Sequence, residues 1–115
     1  MAEQRTQSTM ERKQELENER QHVLARIERI RAYLLELRVA DSGVDPDAFE
    51  RMMNLSIMEN LERKLQSIDH ALSILDRGKY GLCERCGQPI EAERLKILPD
   101  TTLCVRCKVE IEKAR

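Results

Sequence analysis

Two stretches of the chain carry apolar residues at steps of three, four or seven, which is the spacing of a coiled-coil stripe. Only Arg20 interrupts the first stripe, and neither stripe contains Pro or Gly. A repeat that averages 3.5 residues keeps one narrow apolar edge facing a partner helix, so the pattern predicts two long helices. The stripe positions are Leu16, Val23, Ile27, Ile30, Leu34 and Leu37, then Met58, Leu61, Leu65, Ile68, Leu72 and Leu75.

The segment between the stripes, predicted to form a tip at about residues 41–47, has turn and capping chemistry. Gly43 can take the left-handed conformation that ends a helix. Asp45 can cap the next helix, and Pro46 suits its first position, where a missing N–H costs nothing. Because the link is short, the helices should fold back as an antiparallel hairpin within one chain. Dimerisation through the stripes is the alternative.

The start of the first helix is also marked. Residues 1–7 are polar and predicted to be disordered, and Ser8 with Glu11 three positions later forms a capping box. The first helix is therefore predicted over about Thr9 to Ala40. Residues 1–78 should hold this N-terminus and the hairpin, and residues 79–115 a second module.

The second module contains all four cysteines of the chain, spaced C-x2-C-x17-C-x2-C at Cys83, Cys86, Cys104 and Cys107. Each short loop directs two thiolates at one point, and two loops complete a closed tetrahedron of sulfurs around one structural Zn²⁺. Gly87 can supply the positive φ that such a loop often needs. Two disulfides are the alternative. They are disfavoured because the sequence shows no apolar leader that would predict export. The chain is therefore expected in the cytoplasm, where thiols stay reduced. Iron is a second candidate metal, while a thioredoxin-like redox pair would need a βαβ pattern that is lacking.

Composition and charge exclude several functions. The 115 residues are 36% charged and 3% aromatic with a formal net charge of −1, a profile of long helices without a basic surface. Residues 79–115 carry eight Lys/Arg and six Asp/Glu, and a zinc tetrathiolate makes this module about neutral, so no sequence-specific DNA binding is expected. No apolar run is long enough to span a membrane. No nucleophile–base pair or phosphate loop predicts an enzyme, and His22 and His70 are interpreted as ordinary helix residues.

The expected fold is therefore mainly α: an antiparallel coiled-coil helical hairpin followed by a small four-cysteine zinc-finger module and a short C-terminal helix after Cys107. The stretch YGLCERCGQPIEAERLKILPDTTLCVRCK resembles the zinc finger of the DksA/TraR family of bacterial transcription regulators. The hairpin ahead of the finger agrees with the same family. The matching positions are Tyr80, Gly81, the four cysteines, Gly87, Ile90, Arg94, Pro99 and Lys108.

This resemblance implies a protein that binds RNA polymerase rather than DNA, and the short link between the helices predicts that it is a monomer. Members insert the coiled coil into the secondary channel of the polymerase and bring an acidic tip near its active centre. The corresponding tip residues here are Asp41, Asp45 and Asp47, although their spacing differs from that of long members. Long members also have a basic residue before the finger's proline that helps to bind ppGpp. Here that position is Leu98, so a ppGpp response is not expected even though Lys108 is kept.

Two questions stay open at the level of sequence. Phe49, Met52, Met53, Leu55 and Ile57 exceed what one stripe can bury, so they either close the end of the hairpin or contact a partner. The alternative function is a structural adaptor that dimerises through the coiled coil and presents the zinc module to another protein. Target promoters and the sign of regulation are not encoded in any pattern found here.

Overall fold

The computed structural model describes residues 2–37 and 47–114, with side chains from residue 9 onward. These residues form four helices: α1 (Ala2–Glu36), α2 (Ala48–Asp76), α3 (Ala92–Ile97) and α4 (Val105–Lys113). Over the same ranges the only β structure is an isolated antiparallel bridge between Leu82 and Pro89. The molecule measures 66 × 33 × 21 Å. The predicted fold class, mainly α with a helical hairpin and a cysteine module, is confirmed.

The antiparallel direction of the hairpin can be read from its interhelical ion pairs. Arg20 Nε lies 2.7 Å from Asp69 Oδ1, and Lys13 Nζ lies 3.4 Å from Asp76 Oδ1. Seven residues back along α1 thus correspond to seven residues forward along α2, as antiparallel helices require. Arg20, which interrupts the apolar stripe, therefore contributes an ion pair across the hairpin in place of an apolar contact.

The two apolar stripes meet to form the core of the hairpin. Leu16 and Ile68 are 0% exposed, and the other residues of the stripes are buried or half-buried. The stripes are thus covered within the chain. The buried cluster contains Leu16, Val23, Ile27, Ile68, Ala71 and Leu75, with Met58, Leu61, Leu65, Leu72 and Tyr80 packed against it.

The N-terminal boundary of the hairpin differs from the sequence expectation. α1 begins at Ala2 and continues past Ser8, so residues 2–7 are helical rather than disordered and the predicted helix start at Thr9 is wrong, while Met1 lies outside the described residues. The physical reason is that Ala, Glu, Gln and Arg in this segment are good helix formers, with no Gly or Pro to stop them. α1 ends at Glu36, and the predicted end at Ala40 lies outside the described residues.

The second helix also begins later than predicted. Its N-cap is Asp47 rather than Asp45, and Ala48 rather than Pro46 is its first residue. The sequence offers Asp at both positions with similar capping preference, so it does not decide between them. The side chain of Asp47 makes no capping hydrogen bond. Gly43 and most of the predicted tip lie outside the described residues.

The end of α2 turns the chain into the cysteine module. Gly78 has φ +74° and its N–H donates to the Leu75 carbonyl at 3.0 Å, while the Lys79 N–H donates to the Ile74 carbonyl at 3.1 Å. This pair of bonds is a Schellman motif, in which a left-handed glycine satisfies the last carbonyls of the helix.

No helix of the described residues is long and apolar enough to cross a membrane.

Candidate metal centre and partner surface

The four predicted metal ligands come together at one point. The sulfurs of Cys83, Cys86, Cys104 and Cys107 all lie within 4.8 Å of one another. The Cys86 and Cys104 sulfurs are 3.9 Å apart, and a tetrahedral zinc site with Zn–S bonds of about 2.3 Å has sulfurs about 3.8 Å apart. All four cysteines are free, which excludes the disulfide alternative in this structure. The donor set fits one structural zinc.

The first pair of ligands is held by a tight turn. The Gly87 N–H donates to the Cys83 carbonyl at 2.9 Å, and the Cys83 N–H donates to the Gln88 carbonyl at 2.8 Å. Gly87 has φ +78°, so the predicted need for a glycine at this position is confirmed. The turn brings the side chains of Cys83 and Cys86 to the same side of the loop.

The second pair of ligands lies at the start of α4, which was predicted only after Cys107. Cys104 is the N-cap of this helix, and its sulfur accepts a hydrogen bond from the Cys107 N–H at 3.4 Å. A thiolate at a helix N-terminus is favoured by the helix dipole. The Glu84 N–H donates to the Thr102 carbonyl at 2.9 Å and ties the two ligand loops together. Helix α3 between the loops was not predicted from the sequence.

The electrostatics of the four thiols explain the need for a cation. Burial raises the pKa of Cys83, but backbone N–H groups of Cys104, Cys86 and Arg85 outweigh this and lower the pKa to about 6. Burial and the three neighbouring thiols instead raise the pKa of Cys107 to about 12. The pocket therefore favours the thiolate of Cys83 and opposes that of Cys107, which is buried among the other three thiols. A divalent cation removes that opposition.

The cysteine module is anchored on the base of the hairpin. The Tyr80 ring packs on the hairpin core, and its hydroxyl donates to the Pro99 carbonyl at 2.9 Å. Burial raises the pKa of Tyr80 to about 12. Tyr80 belongs to the quoted finger motif, but its packing against the helices could not be deduced from one sequence.

Two polar side chains of α2 complete this junction. Lys64 Nζ lies 3.2 Å from Glu19 of α1 and 3.1 Å from Asp100 of the module, so one α2 side chain bridges three segments. Burial lowers the pKa of Lys64, but the hydrogen bond to Asp100 and then that to Glu19 more than compensate, so the pKa is raised. His70 Nε2 lies 2.7 Å from Glu84 Oε2. Sequence reasoning did not predict these pairings, although it placed His70 within a helix, because partners this far apart in the chain leave no local pattern.

Only one of the three predicted tip residues is described. Asp47 is half-buried at the N-cap of α2, whereas Asp41 and Asp45 lie outside the described residues. Close by, the Tyr33 hydroxyl donates to Glu50 and joins the two helices. That hydrogen bond is the main cause of the raised pKa of Tyr33.

The apolar residues at the start of α2 are mainly on the surface. Phe49 is 77% exposed and Met52 is 70% exposed, while Met53 and Leu55 are also exposed and Ile57 is half-buried. Of the two interpretations of this cluster, closure of the hairpin end and partner contact, the exposure favours partner contact.

A cavity of about 240 Å³ lies between α2 and the cysteine module, and both Leu98 and Lys108 line it. Lys64 also lines it, but Glu19 and Asp100 already hold this ammonium group. Leu98 brings no charge, whereas Arg94 also lines the cavity and its Nε donates to the Leu103 carbonyl at 3.1 Å. The absence of a ppGpp response stays a prediction from the sequence.

The fold and the site define the class of this protein: a helical hairpin joined at its base to a four-cysteine finger. The family model for the prokaryotic dksA/traR C4-type zinc finger matches residues 78–113. The structure of transcription factor DksA2 from Pseudomonas aeruginosa is similar, with a TM-score of 0.79 and 34% identity over 92% of this chain and 84% of that one. The chain belongs to the DksA/TraR family, as the resemblance predicted.

Curated relatives match over shorter segments. An uncharacterised protein of Aquifex aeolicus is 32% identical over 84 residues, which are 66% of this chain and 58% of the relative. The RNA polymerase-binding transcription factor DksA of Caulobacter vibrioides is 31% identical over 64 residues, which are 56% of this chain and 45% of the relative. The chain thus spans little more than half, or less, of these relatives.

Proposed function

We propose that this protein regulates transcription by binding RNA polymerase directly, as a monomer, with the hairpin inserted into the secondary channel. The observation that carries the proposal is the architecture shared with DksA2 over most of both chains. The name of the Caulobacter relative adds RNA polymerase as the partner of a similar protein. The finger then has a structural role and the protein is no enzyme, because four sulfurs leave zinc no open coordination position.

The shape and surface of the hairpin are consistent with insertion. The stripes are covered within the chain, which supports a monomer, and two interhelical ion pairs join the helices in the half near the finger. The opposite half carries the exposed residues Phe49 and Met52, which a partner surface could cover. The acidic residues Asp41, Asp45 and Asp47 would then act at the inserted end.

Co-purification with core RNA polymerase tests the binding itself. The parent protein should elute with core polymerase in gel filtration, and a lack of association would reject the proposed function. Stable parallel dimers found by scattering, together with that lack, would favour the structural adaptor instead.

The role of the tip is tested separately by Asp41→Asn. The variant should bind polymerase like the parent but lose the effect on transcription in vitro, because the hairpin and finger surfaces stay intact. Glu59→Gln, which removes an exposed carboxylate from the middle of α2, is the matched control and should regulate normally. An Asp41→Asn protein that still regulates would leave Asp45 and Asp47 as the candidates, and Asp45→Asn is the next variant.

A further inference from the structure

A groove runs between the two long helices in the half of the hairpin away from the finger. Its volume is about 310 Å³. We call it the arginine groove, and it is lined by Arg26, Arg29, Ile30, Tyr33, Asn54 and Ile57.

The groove exists because the apolar stripe of α2 stops at Met58. Four residues before Met58 the stripe position is occupied by Asn54, whose side-chain amide donates to the Glu50 carbonyl of its own helix at 2.8 Å. With its amide held by its own helix, Asn54 lines the groove and does not supply the apolar side chain that a leucine at this position would. The half-buried residues Ile30 and Ile57 leave an apolar floor between the helices.

Two arginines, Arg26 and Arg29, lie beside this apolar floor. Nearer the finger, the basic residues Lys13, Arg20 and Lys64 all lie within ion-pair distance of acidic side chains. Over residues 9–37 and 47–114, neither Arg26 nor Arg29 makes an ion pair or a side-chain hydrogen bond. Both are exposed and, three positions apart on α1, they lie on the same face of the helix.

Two guanidinium groups above an apolar floor define the chemistry of an occupant. Each guanidinium offers paired N–H donors that match the two oxygens of a carboxylate. The floor suits an aliphatic side chain next to that carboxylate. At the tip end, Glu50 already accepts the Tyr33 hydroxyl, so an incoming acid is favoured at the other end, between Arg26 and Arg29.

We propose that the arginine groove docks an acidic segment of a protein partner, with a carboxylate between Arg26 and Arg29 and an aliphatic residue on Ile30 and Ile57. The proposal rests on the function proposed above, which makes RNA polymerase the partner. Nucleic acid is disfavoured, because phosphate-backbone binding needs many cations along a surface, whereas the chain has a net charge of −1.

The test is the double variant Arg26→Glu/Arg29→Glu, with binding to core RNA polymerase as the measurement. Both residues are exposed in a helix interior and Glu is a good helix former, so circular dichroism should be unchanged. Reversing two charges against an acidic partner should weaken binding by about tenfold or more, and most at low salt. The matched control is Arg31→Glu, since Arg31 pairs with Glu28 and does not line the groove. It should bind within about twofold of the parent.

A photoreactive phenylalanine analogue at His22 identifies the occupant. His22 is exposed one helical turn from Arg26, and the cross-link should fall on an acidic protein segment of the polymerase. A normal affinity of the double variant overturns the groove proposal while leaving the proposed function intact. A cross-link to RNA or DNA also overturns it, in favour of a nucleic-acid contact. If the parent chain fails to bind polymerase, the proposed function fails and the groove proposal falls with it.

Discussion

Removal of the metal should unfold the finger and leave the hairpin folded. The buried cluster of the finger consists of Cys83, Ile90, Cys104 and Cys107, so three of its four members are metal ligands. Apart from the ligands, the cluster has one buried side chain, Ile90, with the partly buried Leu95 and Leu103 packed against it; burying Ile90 contributes about 1.5–3 kcal/mol. Zinc binding supplies folding free energy that so small a core cannot supply by itself.

The size of the expected signal follows from the helix lengths. α3 and α4 contain six and nine residues, whereas α1 and α2 contain 35 and 29, so loss of the finger alone should remove about a fifth of the far-UV ellipticity. The assay is circular dichroism before and after treatment with a strong chelator, with elemental analysis of the same samples. We expect one zinc per folded chain.

Single substitutions separate metal loss from side effects of the chelator. Cys86→Ser should reproduce the partial loss of ellipticity, whereas Val105→Ser, at an exposed position of the same module, should keep both metal and ellipticity. Loss of nearly all helicity on metal removal would show that the hairpin depends on the finger. Unchanged ellipticity with no metal bound would show that the finger folds without it, and either result would refute this reasoning.

Two further predictions concern the hairpin and its junction with the finger. Ile68→Ala should lower the free energy of unfolding by about 3 kcal/mol, because Ile68 is 0% exposed. Leu35→Ala, at a position that is 83% exposed, should change this free energy little. Urea denaturation measures both variants, and equal effects would contradict the packing of the hairpin core. A double-mutant cycle of Lys64→Met and Asp100→Asn should give a coupling of up to about 1 kcal/mol at neutral pH, since both groups are partly solvated. The pKa of Lys64 is raised on folding, so this stabilisation should be complete below about pH 10 and should disappear as the pH rises through the folded-state pKa. A coupling energy of zero at neutral pH would exclude the bridge.

Much of the site was predictable because its signals are local. Two C-x2-C pairs, a glycine after the second cysteine and the absence of a βαβ pattern were sufficient to predict a closed metal site. The sulfurs lie together as that spacing requires, because each short loop has few ways to bring two sulfurs to one metal. The stripe likewise predicted the buried residues Leu16 and Ile68, since a 3.5-residue repeat leaves one face to bury.

Helix ends were less predictable. Ser8 has the sequence of a cap but lies inside α1, and Asp47 rather than Asp45 begins α2. A cap contributes only about 1 kcal/mol, so a neighbouring turn of good helix formers or a second aspartate changes the boundary.

The sequence by itself determined the two stripes, the glycine turns and the four ligands, because each depends on residues close together in the chain. Only the tertiary structure decided where the finger docks, through Tyr80 on the hairpin core and Lys64 between Glu19 and Asp100. It also decided which charged side chains are paired: among the described residues Arg20 forms an ion pair with Asp69 of α2, whereas no ion pair is found for Arg26. Such pairings depend on the register of one helix against another, which residues distant in the chain set together.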